Sequence, residues 1–492
     1  MIPVRVVRLQ TTRLSIPAWA LAFLLFGSLA HSRVAAQESA KPNIVVVFTD
    51  DQGYQDLGCF GSPTIKTPNV DRLAREGMRF TDFHVAATVC TPSRGALLTG
   101  RYPVRLGLAK GVLYPHSKNG LDPSEVTVAE VLREAGYRTA CIGKWHLGHR
   151  DEFLPTSQGF DEYYGIPYSN DMWLAPDLKL APEIHFTEGF TLEKTKEIMA
   201  REQKTRNQVP LMRGNQVIEF PCDQSTVTRR YVQETVRFIA AHRSSPFFVY
   251  LAHSMPHIPL HASPEFKGKS EGGLYGDTIE EIDWGVGEIL KCLKENGLDE
   301  KTLIVFTSDN GPWLTMGKNG GSALPLRNGK GSTFEGGLRV PCVMRWPGKI
   351  PAGTVCDELT CTMDLLPTVC AILGRDTPAG VVLDGRNILD LMRGHPDARS
   401  PHDCFLYYSM TGVLSAIRQG DWKLHFELPC FGYANAGEAE EYVAKLQKKP
   451  YVPELFNLKE DVGEKRDRAA EMPERVEKLQ ALAREKAIAE GR

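Results

Sequence analysis

No asparagine in this 492-residue chain opens an Asn-x-Ser/Thr triplet, so it offers no acceptor for an N-linked glycan. A bacterial periplasmic or secreted origin accommodates that absence better than a lysosomal one. Neither sign of charge is in excess: 58 Lys and Arg stand against 60 Asp and Glu, a formal net charge of −2. A nucleic-acid or anionic-membrane partner needs a basic surplus, and none is present. Beyond residue 36 no apolar run approaches the ~20 residues of a membrane-spanning helix, and no low-complexity linker divides the chain. Two familiar site signatures also fail. His253 and His257 are four apart, but Pro256 and Pro259 oppose the helix on which a zinc-binding pair would share a face. Residues 328–337 are glycine-rich around Lys330, yet Gly331 stands where a phosphate loop needs Ser or Thr. A glycine-rich loop holding Lys330 against an anion remains a reasonable reading.

What the chain does have at its start is an export signal. Arg5, Arg8 and Arg13 precede an apolar run over 16–30, and Val34-Ala35-Ala36 offers a small-residue cleavage site, so residues 1–36 read as a signal peptide. Losing its four arginines takes the formal charge from −2 to −6. The mature chain is expected in the periplasm or outside the cell, with no stable membrane span. Its eleven cysteines can pair in that compartment, but connectivity is not legible and a core of this size does not depend on it. With 42% hydrophobic and 24% charged residues the composition suits one large globular domain and a smaller one.

Two stretches read as strands buried on both faces of a parallel sheet. Residues 43–49 (Asn-Ile-Val-Val-Val-Phe-Thr) lead into Asp50-Asp51-Gln52-Gly53, and the near-copy at 303–307 (Leu-Ile-Val-Phe-Thr) leads into Ser308-Asp309-Asn310-Gly311. Adjacent carboxylates repel one another. At a strand's carboxyl end they are best explained by a hard cation such as Ca²⁺ or Mg²⁺, which takes oxygen ligands. Side by side, the two strands would bring three carboxylates and an amide to one point, with Cys90 as neighbour.

Between and after them the pattern alternates helix and strand. Residues 68–77 and 128–136 read as helices. Residues 137–142 read as a strand followed by Gly-Lys-Trp-His-Leu-Gly, where continued extension would put Lys144 and His146 on one side. Residues 171–225 are polar and irregular, with a helix candidate at 192–206, and read as a surface insertion bordering the pocket. A helix over 226–242 and a strand over 246–251 lead to a loop carrying His257, a candidate acid or base, and a helix over 278–296 follows. From about residue 374 short antiparallel strands are expected at 383–385, 414–426 and 454–458, closed by a helix at 473–489. The expected fold is therefore α/β: a large domain (41–373) with a mostly parallel mixed sheet between helices, plus a smaller C-terminal α+β subdomain (374–492) with a short antiparallel sheet.

Residues 88–101 carry the one signal that names a chemistry: Thr-Val-Cys-Thr-Pro-Ser-Arg-Gly-Ala-Leu-Leu-Thr-Gly-Arg. Pro92 and Ser93 at the start of a helix running through Arg94 would place Cys90 over the positive end of that helix, where an anion is favoured. A thiol nucleophile could use the same field, and a plain buried cysteine is the alternative. Cys90-x-Pro92-x-Arg94 followed by Leu-Thr-Gly-Arg resembles the mark of the sulfatase family, in which this cysteine is oxidised to formylglycine (3-oxoalanine). Further words match in the same order: Thr49 to Tyr54, Gly143 to Gly148, Gly165 to Ser169, Phe247 to Pro259, Asp309-Asn310-Gly311 and Gly329 to Pro341. The mature chain is thus similar to the sulfatases of the alkaline phosphatase superfamily, and most like the arylsulfatase A group.

The resemblance implies an alkaline-phosphatase-like core and hydrolysis of sulfate monoesters. It implies one Ca²⁺ held by Asp50, Asp51, Asp309, Asn310 and residue 90, and a formylglycine-generating enzyme as maturation partner. With residue 90 consumed, an even ten cysteines remain. Arg94 and His146 would hold the aldehyde hydrate, while Lys144, His257, Lys330 and the nearby Ser169 would contact the sulfate. In the implied mechanism Asp309 serves as base for the attack, His257 protonates the leaving alcohol or phenol, and His146 helps the second hydroxyl expel sulfate. Asn170 stands where the arylsulfatase A group tends to have histidine, which leaves the substrate open; a sulfated carbohydrate is the expectation. The competing readings are a phosphomonoester or phosphonate hydrolase on the same fold, a sulfated-glycan binder if Cys90 stays unmodified, and a cysteine hydrolase, which a calcium site would not help.

Overall fold

The computed structural model describes residues 41–187, 189–427 and 451–488; the expected signal peptide and Cys430 lie outside them. Eleven strands form one mixed sheet whose centre is parallel. Thr302–Ser308, Asn43–Thr49, Phe247–Ala252, Arg138–Gly143 and Glu162–Gly165 lie side by side in that order and run the same way. Every residue of the first three is buried. Helices covering both faces of a parallel sheet explain why these strands read as unbroken apolar runs.

Register decides where the acidic residues fall. Thr49 pairs with Ser308, not with Thr307, its counterpart in the sequence likeness. The additional residue in the second strand brings Asp309 level with Asp50, and the Asp309 amide donates to the Thr49 carbonyl at 3.0 Å.

Several elements differ from expectation. Residues 171–225 are no mere surface insertion: Lys179–Phe186, Leu211–Arg213 and Gln216–Phe220 extend one edge of the large sheet. The outermost of them, Lys-Leu-Ala-Pro-Glu-Ile-His-Phe, has no buried residue and is exposed at every other position or so. Edge strands accept Pro and charged residues, and that polarity hid it. The helix expected at 192–206 stops at Ala200, and the one expected at 278–296 begins a turn earlier, as Gly273–Glu295. Residues 383–385 form no strand; Asp384 instead accepts from the Tyr102 amide at 2.8 Å and from Arg105 Nε at 2.9 Å.

Near the C-terminus Phe405–Tyr408, Leu414–Gln419, Trp422–His425 and Glu454–Asn457 form a separate antiparallel sheet, followed by the helix Pro473–Lys486. Buried ion pairs tie it to Asp82 and Glu335 in the preceding part of the chain and to Glu464 just beyond its last strand. Arg418 grips Asp82 at 2.8 and 2.6 Å, and Lys423 Nζ lies 2.9 Å from Glu335 and 3.0 Å from Glu464. All ten described cysteines are free. No helix among the described residues is long and apolar enough to cross a membrane.

Candidate active site

The central parallel strands all end on one face, where the loops of such sheets build ligand sites. Asp50 and Asp51 follow Asn43–Thr49, and Asp309 and Asn310 follow Thr302–Ser308; all four side chains are buried. Ligand atoms of Asp50, Asp51, Asp309 and Cys90 lie within 4.8 Å of one another. Asn310 Nδ2 donates to Asp51 Oδ1 at 2.7 Å, whereas its Oδ1 has no hydrogen-bond partner among the described residues. Burial works against the Asp50 charge, but Lys144, His257, Arg94 and Lys330 outweigh it and hold the carboxyl well below the usual range. Asp309 goes the other way: burial and the Asp50 charge push it up to about 7. Three buried carboxylates beside an orphaned amide oxygen make a hard donor set that fits Ca²⁺, and a divalent cation would relieve their repulsion.

Cys90 is the first residue of the helix Cys90–Thr99, which starts two residues earlier than expected, behind Val89 with no side-chain cap. The open amides of the first turn therefore lie at residue 90 itself, and Pro92 falls within that turn, where its missing N–H costs nothing. The Cys90 thiol lies 3.4 Å from Asp50 Oδ1, and Lys330 Nζ is 3.8 Å from its sulfur. Burial and the Asp50 charge push the thiol well above its ordinary value. A thiolate is thus disfavoured here, which argues against cysteine hydrolase chemistry.

Cations from separate loops close around this cluster. Lys144 Nζ donates to Asp50 Oδ2 at 2.5 Å and to Ser169 Oγ at 3.2 Å, and Lys330 Nζ donates to Asp51 Oδ2 at 2.7 Å. Burial opposes both ammonium charges, yet Asp50 raises Lys144 and Asp51 raises Lys330, so both stay protonated. Lys144 and His146 do not reach the site by continued extension. Gly143 has φ 115 and His146 φ 60, so the backbone turns as it leaves the strand. A Cβ at Gly143 would lie 1.8 Å from the Ala252 carbonyl oxygen, which leaves glycine as the residue for that turn.

Arg94 spends its fork on Asp309 Oδ2, from Nε at 3.1 Å and Nη2 at 2.7 Å, and on the Lys144 carbonyl at 3.0 Å. Neither it nor His146 is hydrogen-bonded to residue 90. His146 Nε2 faces the Leu113 carbonyl at 2.9 Å, which can only accept, so that nitrogen carries the proton. Nδ1 is then a bare base without a partner among the described residues. Burial, with Lys144 and Arg94, drives His146 well below its usual value and keeps it neutral. His257 lies with Nδ1 2.5 Å from the Ile258 carbonyl and 3.1 Å from Asn170 Oδ1, leaving Nε2 toward Asp51 Oδ2 at 3.7 Å. Burial and Lys330 lower it; an anionic ester would draw a proton back onto Nε2. His253 does not join the group. Burial alone pushes it to about 3, beside Tyr231.

The residue sequence reasoning missed is Trp313. Its ring lies 5.5 Å from that of His257, and Lys330 Nζ sits 4.4 Å from its centroid. A signal existed in its place three residues after Asn310, on the loop that carries Asp309 and Asn310.

The sulfatase family profile matches residues 42–375, and that of the C-terminal region of aryl-sulfatase matches 400–489. Arylsulfatase A of Bos taurus is 39% identical over 91% of this chain and 85% of its own. Steryl-sulfatase of Mus musculus is 37% identical over 90% and 81%. The crystal structure of Ps i-CgsB in complex with k-i-k-neocarrahexaose superposes with a TM-score of 0.72 at 30% identity, covering 90% of this chain and 92% of that one.

Proposed function

Because this chain belongs to the sulfatase family and hydrolyses sulfate esters, we propose that it does so through formylglycine at position 90, with one bound Ca²⁺, on a sulfated carbohydrate. The observation that carries this reading is the convergence on Cys90 of two buried, protonated lysines, a histidine and three carboxylates. As formylglycine, residue 90 would present its hydrate, two oxygens on one carbon, one to attack sulfur and one whose deprotonation releases sulfate. Ca²⁺, held by Asp50, Asp51, Asp309 and Asn310, would supply positive charge to the non-bridging sulfate oxygens.

The chain's own groups do the rest. Lys144 and Lys330 neutralise the sulfate as charge builds on it. Asp309, kept in place by Arg94, is the base for the first attack, and His146 Nδ1 accepts the proton of the second. His257 Nε2 protonates the departing oxygen, and Trp313 walls the space beside it. The hexasaccharide bound to Ps i-CgsB supports a carbohydrate ester.

The test is sulfate release from a panel of sulfated saccharides and 4-nitrophenyl sulfate, set against 4-nitrophenyl phosphate. Sulfate esters are expected to turn over far faster, and a preference for phosphate would overturn the reading. Chelation with EGTA should lower kcat/KM at least about a hundredfold and Ca²⁺ should restore it, since a metal at such a site contributes several kcal/mol. His257→Ala should slow a sugar sulfate by about 10²–10⁴-fold, the usual worth of a general acid. It should barely affect 4-nitrophenyl sulfate, whose phenolate leaves unprotonated. Equal losses on both would remove His257 from the acid role.

A further inference from the structure

Tyr114, His116 and Trp173 bring three aromatic rings together on loops that reach into the site. Tyr114 and His116 are 5.6 Å apart and within 7° of parallel. Trp173 lies 6.3 Å from each, at 23° and 17°. Parallel rings touch at about 3.5–4.0 Å, so a three-ring column would separate its outer members by about 7 Å or more. Three nearly equal separations mean that the rings are offset rather than stacked in one column. Tyr114 is 42% exposed and is the only aromatic ring among the exposed large hydrophobic side chains of the described residues. His116 is exposed and Trp173 is buried beneath. Lys204, also exposed, holds its ammonium 5.7 Å from the Trp173 centroid.

Both loops are pinned to catalytic groups. The Leu113 carbonyl, next to Tyr114, accepts from His146 Nε2, and the Leu113 amide donates to Thr91 Oγ1 at 3.1 Å, beside residue 90. Trp173 follows Ser169, the partner of Lys144, through a turn closed by Met172 N and the Ser169 carbonyl at 3.1 Å. The Cα atoms that carry the rings are thus at most four residues of chain from Leu113 or Ser169, about 15 Å, yet no step of the hydrolysis uses the rings. In the proposed mechanism Trp313, against His257, walls the group bonded to the sulfate, which leaves these loops for what lies beyond it. The water-exposed rings of Tyr114 and His116, backed by the buried Trp173 with the Lys204 ammonium over its ring, suit a sugar ring that has an apolar face and an anionic substituent.

We propose that Tyr114, His116 and Trp173 form a subsite for a second sugar ring of a sulfated glycan, adjacent to the ring whose ester is cut, with Lys204 toward its anionic substituent. This deepens, and rests on, the carbohydrate reading above.

The test uses the full chain with Tyr114→Ala and His116→Ala combined, and Tyr114→Phe as the conservative control. With residue 90 native, the double variant should keep its kcat/KM for 4-nitrophenyl sulfate within about twofold. In a Cys90→Ala background, titration calorimetry reads binding of tetrasaccharides from carrageenan, chondroitin sulfate and heparan sulfate. At least one should bind more tightly than its sulfated monosaccharide, and the double substitution should weaken it at least about tenfold, the worth of two aromatic contacts, with Tyr114→Phe restoring most of it. Equal loss on 4-nitrophenyl sulfate would mean that the rings only brace Leu113 and His146, and would overturn the subsite. No tetrasaccharide binding better than its monosaccharide would overturn it too. If saccharides bind through the rings but none is hydrolysed, the substrate reading fails while the subsite stands.

Discussion

Replacing Cys90 by alanine is expected to abolish sulfate release, by a factor on the order of 10⁴ or more, as removal of a covalent nucleophile does. The fold should survive. The thiol is small, buried and uncharged, and its one short contact is to Asp50. Losing a single sulfur from the first turn of a packed helix costs about 1 kcal/mol. Activity and stability should therefore separate, with turnover gone and thermal unfolding nearly unchanged. Serine should be equally inactive, because one hydroxyl can attack sulfur but has no second oxygen with which to expel it. Mass spectrometry of the peptide spanning residue 90, from protein made in its native host, should find the aldehyde or its hydrate. More than about 1% residual turnover in Cys90→Ala, well above the expected loss, would place the nucleophile elsewhere.

Lys423→Met is expected to be the most damaging change away from the site, at about 3–5 kcal/mol, the cost of leaving buried charges unpaired. Lys423 is fully buried between Glu335 and Glu464, with its ammonium 4.0 Å from the centroid of Tyr407. Burial opposes both glutamate charges, but Lys423 acting with His84 and Arg418 at Glu335, and with His425 at Glu464, outweighs it and holds both carboxyls below the ordinary 4.5. The sign follows from linkage. Depressed carboxyls contribute stability that is present above about pH 4.5 and lost as pH falls through their folded values. Without Lys423 the same two groups resist ionisation, so the variant is penalised most at neutral pH and less in acid. Urea unfolding of both proteins at pH 7 and pH 4 should show the gap narrowing on acidification. A gap independent of pH would mean that lost packing, not charge, explains the defect. Glu335 opens the short helix Glu335–Leu338 just after the Lys330 loop, so this damage should also reach turnover.

Much of the site was legible before any fold was known, because its signals are local. Asp50-Asp51 and Asp309-Asn310 each follow an apolar β-branched run, and such a run can hardly be anything but a covered parallel strand. Pro92 and the residues around it announce a helix start whose open amides favour an anion at position 90. The helix began two residues earlier than read, since Val89 enters it in extended backbone with no side chain to mark the cap. The strand Lys179–Phe186 was missed for a related reason: an edge strand exposes one side, and its sequence looks like a loop.

Sequence alone determined the chemistry on offer: a cysteine in a modifiable motif, hard oxygen ligands, two lysines, two histidines, and the strands and helices that bear them. These are set by residue type and by spacings of a few positions, which propensity and periodicity encode locally. Tertiary structure decided which atoms meet. The one-residue offset between Asn43–Thr49 and Thr302–Ser308 levels Asp50 with Asp309. Arg94 turns toward Asp309, the backbone bends at Gly143 to aim Lys144, and Trp313 comes to rest on His257. The rings of Tyr114 and His116 come to lie against Trp173, and Lys423 finds Glu335 across the chain. Such contacts span tens to hundreds of residues, and they depend on strand register and loop path, which only the packed whole can fix.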